Sequence, residues 1–482
     1  MRTKQPNIIY ILADDMGYGD LSCLNEASKI NTVNLDGVAK EGMAFTDAHA
    51  SSAVCTPSRY SILTGRYNWR SSLKRGVLGG YSEPLIEDGR LTVASMLKTK
   101  DYRTACVGKW HLGLDWRAKS QDPTDVDYSK PIADGPLQHG FDYFYGISAS
   151  LDMPPYVYIE NDQVTQIPAS TSKSREGKGW WREGPIAPDF KHEEVLPRLN
   201  DKVLDTIELW KDDPFFLYYA LPAPHTPILP LEQYRGKTGL NEYGDFVYMC
   251  DDLIGDIMNK LIELGLYENT ILVFTSDNGC SPEADFGELS YLGHHPSYHF
   301  RGHKADIYEG GHRVPLLIRW PEYIKPNMLT EEPVCLVDLM ATLADIVDFQ
   351  LPDDAGEDSI SNLPLWSGQK LDRSLREATV HHSIDGSFSI RQGKWKLELC
   401  PGSGGWSYPK PGEESSFMPP FQLYDLHSDI GEKVNVALDY PDKVEHLREL
   451  LREYVLNGRS TPGKKQKNTG APYWEELHWM QE

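Results

Sequence analysis

Four short segments of this 482-residue chain place polar side chains directly after apolar runs: Asp14-Asp15, Lys109-Trp110-His111, Pro224-His225-Thr226-Pro227 and Asp277-Asn278-Gly279. Each alone has an ordinary structural explanation. Asp14-Asp15 could cap a helix, His111 could be a satisfied core histidine, and Asp277-Asn278-Gly279 has the composition of a tight turn. Together, Asp14, Asp15, Asp277 and Asn278 offer hard oxygen ligands with almost no sulfur or imidazole, a donor set that favours calcium or magnesium over zinc. A fifth segment, Cys55-Thr56-Pro57-Ser58-Arg59, follows the small-residue run 48–54. Pro57 near a first turn, with Gly65 just past the end, marks a short helix whose N-terminus presents free N–H groups to an anion. A thiol there would be acidified, which allows a nucleophilic cysteine. A free cysteine beside an oxygen-ligated metal is otherwise chemically odd, because hard cations select against sulfur.

These groups need a scaffold that brings distant segments together. Residues 7–13, 104–108, 215–220, 271–276 and 314–318 are short apolar runs bounded by Gly, Pro or acids, the form of buried parallel strands. Helical spacing falls between them at 35–41, 93–97, 195–210, 243–264 and 336–347. The alternation implies an α/β fold with a large, mostly parallel central sheet covered by helices on both faces. Ligands then sit beyond the carboxyl ends of the strands, where the polar groups should converge. After about residue 376 a period-two texture at 388–391, 395–399 and 421–425, with one helix at 444–456, indicates a smaller α+β subdomain on an antiparallel sheet. The expected division is a catalytic domain at 1–375 and a C-terminal subdomain at 376–482. Stretches 118–135 and 169–189 read as surface insertions near a binding mouth, and 458–467 as a mobile tail.

Composition removes several classes. Lys+Arg number 48 against 71 Asp+Glu, a formal charge of −23, which argues against a nucleic-acid partner. Hydrophobic residues at 40% exclude wholesale disorder, and no run approaches the ~20 apolar residues of a membrane span. No secretory leader is visible at residues 1–6, so the chain is either cytoplasmic or shown after trimming. Seven scattered cysteines do not form a disulfide framework and read mostly as buried thiols.

Cys55-Thr56-Pro57-Ser58-Arg59 with Leu63-Thr64-Gly65-Arg66 resembles the signature of the type I sulfatases of the alkaline phosphatase superfamily, arylsulfatase A-like enzymes. The resemblance extends along nearly the whole chain. Residues 7–19 are similar to the family's first strand and Asp pair, Gly108-Lys109-Trp110-His111-Leu112-Gly113 to its G-K-W-H-L-G element, and 224–227 to its P-H-x-P. Residues 275–279 match T-S-D-N-G, and 301–304 with 309–315 match R-G-x-K and E-G-G-x-R-V-P.

The resemblance implies a sulfuric ester hydrolase in which Cys55 is oxidised to formylglycine by a maturation enzyme. Its hydrate bears oxygens, which removes the oddity of sulfur beside a hard cation. By the same carry-over, Asp14, Asp15, Asp277, Asn278 and the modified Cys55 hold one calcium, and a hydroxyl of the hydrate attacks sulfur. His225, with Lys304 beside it, is the general acid, His111 accepts the proton when sulfate is expelled, and Arg59 and Lys109 are fixed positive groups. A periplasmic or secreted location follows by family analogy. Two other readings stay open: a phosphonate monoester hydrolase or phosphodiesterase of the same superfamily, and a sulfated-glycan-binding protein without catalysis.

For the substrate, His294, His295 and His299 in the loop 293–300 are expected to contact sugar hydroxyls, with a structural zinc as the rival explanation. Trp110, Trp116, Trp180 and Trp181 are expected to form an exposed rim on which a sugar ring stacks. Glu309 and Arg313 are assigned to structure. Segments 64–81 and 91–116 resemble microbial carbohydrate sulfatases, and 6-O-sulfated galactose or N-acetylgalactosamine is the first expectation, with a 4-O-sulfate or an algal galactan next.

Overall fold

The computed structural model describes residues 5–413 and 417–480. Ten strands form the central sheet, in the order Met328–Thr330, Met43–Phe45, Leu316–Arg319, Thr270–Ser276, Asn7–Asp14, Phe215–Pro224, Arg103–Lys109, Tyr143–Ile147, Ile159–Glu160, Gln163–Val164. The five from Thr270–Ser276 to Tyr143–Ile147 are mutually parallel. Leu316–Arg319, which the apolar pattern groups with the others, instead runs antiparallel to Thr270–Ser276, so the sheet is mixed at its edges. Asn7–Asp14 lies at its centre and is buried along its whole length. Ile8, Ile9, Ile11 and Leu12 are fully buried, each contributing ~1.5–3 kcal/mol from removal of apolar surface from water. Helices Val195–Leu209 and Glu242–Glu263 pack against the sheet through their apolar faces.

A second, four-stranded antiparallel sheet is built from Thr379–His382, Phe388–Gln392, Trp395–Glu398 and Gln422–Asp425, and the helix Pro441–Asn457 covers it. Its core takes in Tyr67, Trp69, Cys335 and Val337 from the larger part of the chain. A seam of buried charge joins the two sheets. Lys396 Nζ lies 2.7 Å from Glu432, 3.2 Å from Glu309 and 3.3 Å from Glu398. Asp47 receives Arg391 at 2.7 Å, Arg313 at 2.9 Å and His49 at 2.6 Å. Arg313 also pairs with Glu309 at 2.8 Å, and the rings of His312 and His381 stack at 3.8 Å. Glu309 and Arg313 are thus held in this seam.

Two expectations for loops change. Segment 169–189, read as an insertion without regular structure, forms a hairpin, Ser170–Ser174 with Trp181–Ile186. Segment 458–467 is not a mobile tail. The guanidinium of Arg66, buried in the body of the protein, donates to the Lys467 carbonyl at 2.7 Å, Arg70 donates to Asn468 Oδ1 at 3.0 Å, and the Gln466 N–H donates to Asn457 O at 2.9 Å. Buried guanidinium groups need acceptors, and this strap supplies them.

Candidate active site

Parallel register places the polar groups side by side. Asp14 pairs with Pro224 and Ala13 with Ser276, so Asp14-Asp15, His225 and Asp277-Asn278 leave adjacent strands at one edge. Lys109 ends the next strand, Arg103–Lys109. Asp15 turns the chain with φ 68°, a left-handed conformation that Asp tolerates better than bulky residues. Gly279 permits a close approach: a Cβ there would stand 1.9 Å from the Gly310 carbonyl oxygen, so the Asp277-Asn278-Gly279 turn rests directly on the Glu309-Gly310-Gly311 segment.

The cluster is fully buried and dense with charge. Lys109 Nζ donates to Asp14 Oδ2 at 2.6 Å, and Lys304 Nζ to Asp15 Oδ2 at 2.7 Å. Arg59 grips Asp277 Oδ2 through Nε at 2.9 Å and Nη2 at 2.7 Å, and Nη1 donates to the Lys109 carbonyl at 3.0 Å. Asn278 Nδ2 donates to Asp15 Oδ1 at 2.7 Å. Burial pushes the Asp14 carboxyl up, but Lys109, His225, Arg59 and Lys304 outweigh it and hold the group well below the usual carboxylate range. Asp277 goes the other way, pushed up to about 6 by burial and by the neighbouring Asp14 charge, against the pull of Arg59 and Lys109.

Two oxygens in this cluster, Asp14 Oδ1 and Asn278 Oδ1, are buried and accept no hydrogen bond. Leaving such atoms bare costs about 1–3 kcal/mol each, more for a charged group, unless a ligand satisfies them. Around them stand Asp15 and Asp277, so the donor set is all oxygen and fits a hard divalent cation. Cys55 Sγ and one oxygen each of Asp14 and Asp277 lie within 4.8 Å of one another.

Cys55 is the first residue of the helix Cys55–Thr64, whose ten residues are all buried and whose end is capped by Gly65 at φ 63°. The acidified thiol expected from the helix terminus is not what the structure shows. Burial pushes the Cys55 thiol up, and the nearby ammonium groups of Lys109 and Lys304 offset this only in part. Desolvation of the thiolate, with the nearby Asp14 and Asp277 charges, outweighs both lysines here.

The two histidines differ in their free atoms. His111 Nε2 lies 2.7 Å from the Leu78 carbonyl and must donate to it, which leaves Nδ1 with a lone pair and no partner. Burial, reinforced by Lys109, drives its pKa well down, so the ring is neutral. His225 Nδ1 donates to Thr226 O at 2.5 Å. Its Nε2 lies 3.7 Å from Asp15 Oδ2, and Asp152 Oδ1 is 3.9 Å from Nδ1.

A cavity of about 210 Å3 opens onto Cys55, His225 and Lys304. Asp152, Arg182, Glu283 and Trp406 line it and were not singled out from the sequence. Asp152 had a usable signal, since it follows the carboxyl end of the parallel strand Tyr143–Ile147, the position that marks the other site groups. Trp406 had none. It arrives on a loop of the C-terminal part whose backbone N–H groups at Trp406 and Ser407 donate to Asp306 Oδ1 at 2.8 and 2.9 Å.

The histidine loop and most of the tryptophan rim are corrected by burial. His294 is fully buried, with Nε2 2.8 Å from Asp20 and Nδ1 accepting from the Lys29 N–H at 3.3 Å, so it is a structural group. His295 and His299 are exposed but neither lines the cavity. Trp110 and Trp116 are core residues whose indole N–H groups bond Gly113 O and Gly80 O, both at 2.9 Å. Trp181 stacks on His192 at 3.9 Å, outside the cavity. Trp180 alone of the four lines it. The hairpin containing Trp180 and Arg182 borders the mouth, whereas 118–135 contributes no lining residue.

Comparison with known proteins agrees with this geometry. The family described as Sulfatase matches residues 6–349. An N-acetylgalactosamine-6-O-sulfatase of Bacteroides thetaiotaomicron is 35% identical, the match spanning 93% of each chain. Arylsulfatase A of Homo sapiens is 32% identical over 97% of this chain and 91% of that protein. A solved structure described under the metabolism of multiple glycosaminoglycans by Bacteroides thetaiotaomicron has a TM-score of 0.82 at 33% identity, covering 94% of this chain and 99% of that one.

Proposed function

This chain belongs to the sulfatase family and is a sulfuric ester hydrolase acting on carbohydrate, and on that premise we propose that its substrate is a 6-O-sulfated galactose or N-acetylgalactosamine residue. One observation carries the chemistry: Cys55, clustered with the buried Asp14 and Asp277, lines a cavity also reached by His225 and Lys304. Support for the sugar and sulfate position comes from the B. thetaiotaomicron relative, which is named for N-acetylgalactosamine 6-O-sulfate.

In this reading Asp14, Asp15, Asp277 and Asn278 hold one calcium, together with position 55 once Cys55 has been converted to formylglycine by a maturation enzyme. The bound cation supplies positive charge that polarises sulfate oxygens, and the converted residue supplies the attacking hydroxyl. The remaining steps belong to the chain's own side chains. Once a divalent cation shares the carboxylates, Arg59, Lys109 and Lys304 are cations in excess, set to hold the anionic sulfate in a water-poor site. His225 stands at the cavity wall, where its Nε2 can hand a proton to the departing sugar oxygen. His111, neutral with Nδ1 free, takes the proton when sulfate is expelled. Trp180 and Trp406 offer faces for the sugar ring, and Asp152 with Arg182 offers an acceptor and a donor fork for its hydroxyls.

Residues 1–375 then form the catalytic portion and 376–482 a C-terminal portion that lends Trp406 to the mouth. Sulfated glycans are extracellular polymers, so a periplasmic or secreted site fits the substrate; among the described residues no helix is long and apolar enough to cross a membrane. The test is sulfate release from 6-O- and 4-O-sulfated galactose, N-acetylgalactosamine and glucosamine saccharides, by protein whose Cys55 peptide carries formylglycine by mass. Release from the 6-O-sulfated galactose-type sugars alone is expected. Release from a 4-O-sulfate or a glucosamine sulfate instead would overturn the assignment.

A further inference from the structure

Trp180 and Arg182 wall the active-site cavity on one side, and they also wall a second cleft of about 450 Å3 on the hairpin. Lys173, Arg175, Trp181 and Glu183 also line that cleft. None of its other residues touches the catalytic cluster, so desulfation of a single sugar has no use for it. The protein carries −23 overall, yet this surface sets three cationic side chains against one carboxylate.

Two of the three cations, Lys173 and Arg175, are available to a ligand. Arg175 has no ion-pair partner among the described residues, and Lys173 meets Glu183 at 3.0 Å with both side chains more than half exposed. Such a pair is worth little in water and exchanges readily for another anion. Arg182 bonds Asp152 and so ties this cleft to the first. The aromatic rings are pinned. Trp181 lies flat on His192 with Nε1 donating to Ser172 Oγ at 3.1 Å, and Trp180 Nε1 donates to Glu283 at 2.9 Å. Fixed indole faces beside the exposed cations Lys173 and Arg175 suit a sugar ring that bears an anionic group.

We propose that this cleft is a subsite for the neighbouring sugar of the same glycan, one that carries its own sulfate or carboxylate. The inference rests on the carbohydrate-sulfatase reading and adds to it the charge of the adjoining unit. Binding energy there is made equally in ground and transition states, so it lowers KM more than it raises kcat.

The experiment compares kcat/KM for the free 6-O-sulfated monosaccharide with that for disaccharides whose second sugar is neutral, carboxylated or sulfated. The expected result is about a tenfold gain for an anionic neighbour over a neutral one, carried by KM and diminished by added salt. The carboxylated and sulfated arms identify which anion the cleft prefers. In the double variant Lys173→Ala/Arg175→Ala the ratio of anionic to neutral disaccharide should fall to near one. Equal kcat/KM for anionic and neutral disaccharides, or a ratio unmoved in the double variant, overturns the proposal while the sulfatase reading stands. No sulfate release from any of the four, the monosaccharide included, would strike at that reading and remove this inference with it.

Discussion

Two buried clusters of charge in this molecule use nearly the same residue types for opposite ends. At the seam between the sheets, Asp47, Glu309, Glu398 and Glu432 surround cations of the chain's own, Arg313, Arg391 and the ammonium of Lys396. At the strand ends, Asp14, Asp15 and Asp277 also meet Lys109, Lys304 and Arg59, and Asp14 Oδ1 and Asn278 Oδ1 are left without a hydrogen bond. The seam is closed around a lysine that cannot leave. The strand-end cluster is buried too, but its neighbours Cys55, His225 and Lys304 line a cavity. Buried carboxylate oxygens without a hydrogen bond occur in the seam as well, at Glu309 and Glu398, so neither buried charge nor bare oxygens alone mark function; the cavity that reaches Cys55, His225 and Lys304 distinguishes the second cluster.

Substitutions can break this contrast. Cys55→Ala should reduce sulfate release by on the order of 10^4-fold or more, as removal of a nucleophile does, while the thermal unfolding midpoint changes little. A retained rate would place the chemistry elsewhere. Lys396→Met should do the reverse. Removing the cation leaves Glu309 and Glu432 without their ammonium in the interior, and breaking such a pair costs ~3–5 kcal/mol. Calorimetry should show a lowered unfolding temperature, with turnover per folded molecule preserved at lower temperature; loss of turnover in fully folded protein would merge the two clusters.

A smaller effect sharpens the comparison through pH. Burial raises the pKa of Asp47, but Arg313, the His49 hydrogen bond and Arg391 together hold it below the ordinary carboxylate value. A carboxyl depressed on folding contributes stability at neutral pH that is lost as pH falls below about 4, where the unfolded chain takes up the proton. Asp47→Asn should lower the denaturation midpoint at pH 7 and flatten its decline in acid. An unchanged acid limb would show that Asp47 does not supply this stability.

The central strands, the long helices and the strand-end groups were legible in the sequence because apolar period and terminal polar residues are local signals. The gathering of Asp14, Asp15, Asp277, Asn278, Lys109, His111 and His225 follows once the four runs 7–13, 104–108, 215–220 and 271–276 are aligned as parallel strands. What failed depended on remote partners. The character of His294 is set by Asp20, 274 residues away, and nothing in the loop 293–300 announces that bond. Trp110 and Trp116 have the same composition as a sugar platform, and only packing shows them to be core. Trp406 reaches the mouth because Asp306 fastens its loop, a contact spanning 100 residues. The tail at 458–467 looks mobile by its Gly, Pro and Lys content, yet the interior Arg66 claims the Lys467 carbonyl and Arg70 the amide oxygen of the next residue, Asn468.

The most direct test of the strand-end cluster is to strip metal from formylglycine-bearing protein with a chelator, then add calcium stepwise while measuring bound ion and sulfate release on the same samples. Both should rise together and level at one calcium per chain, and Asp14→Asn should bind none at the same concentration. Full turnover without bound ion, restoration by zinc alone, or undiminished calcium binding in Asp14→Asn would contradict the assignment of this site.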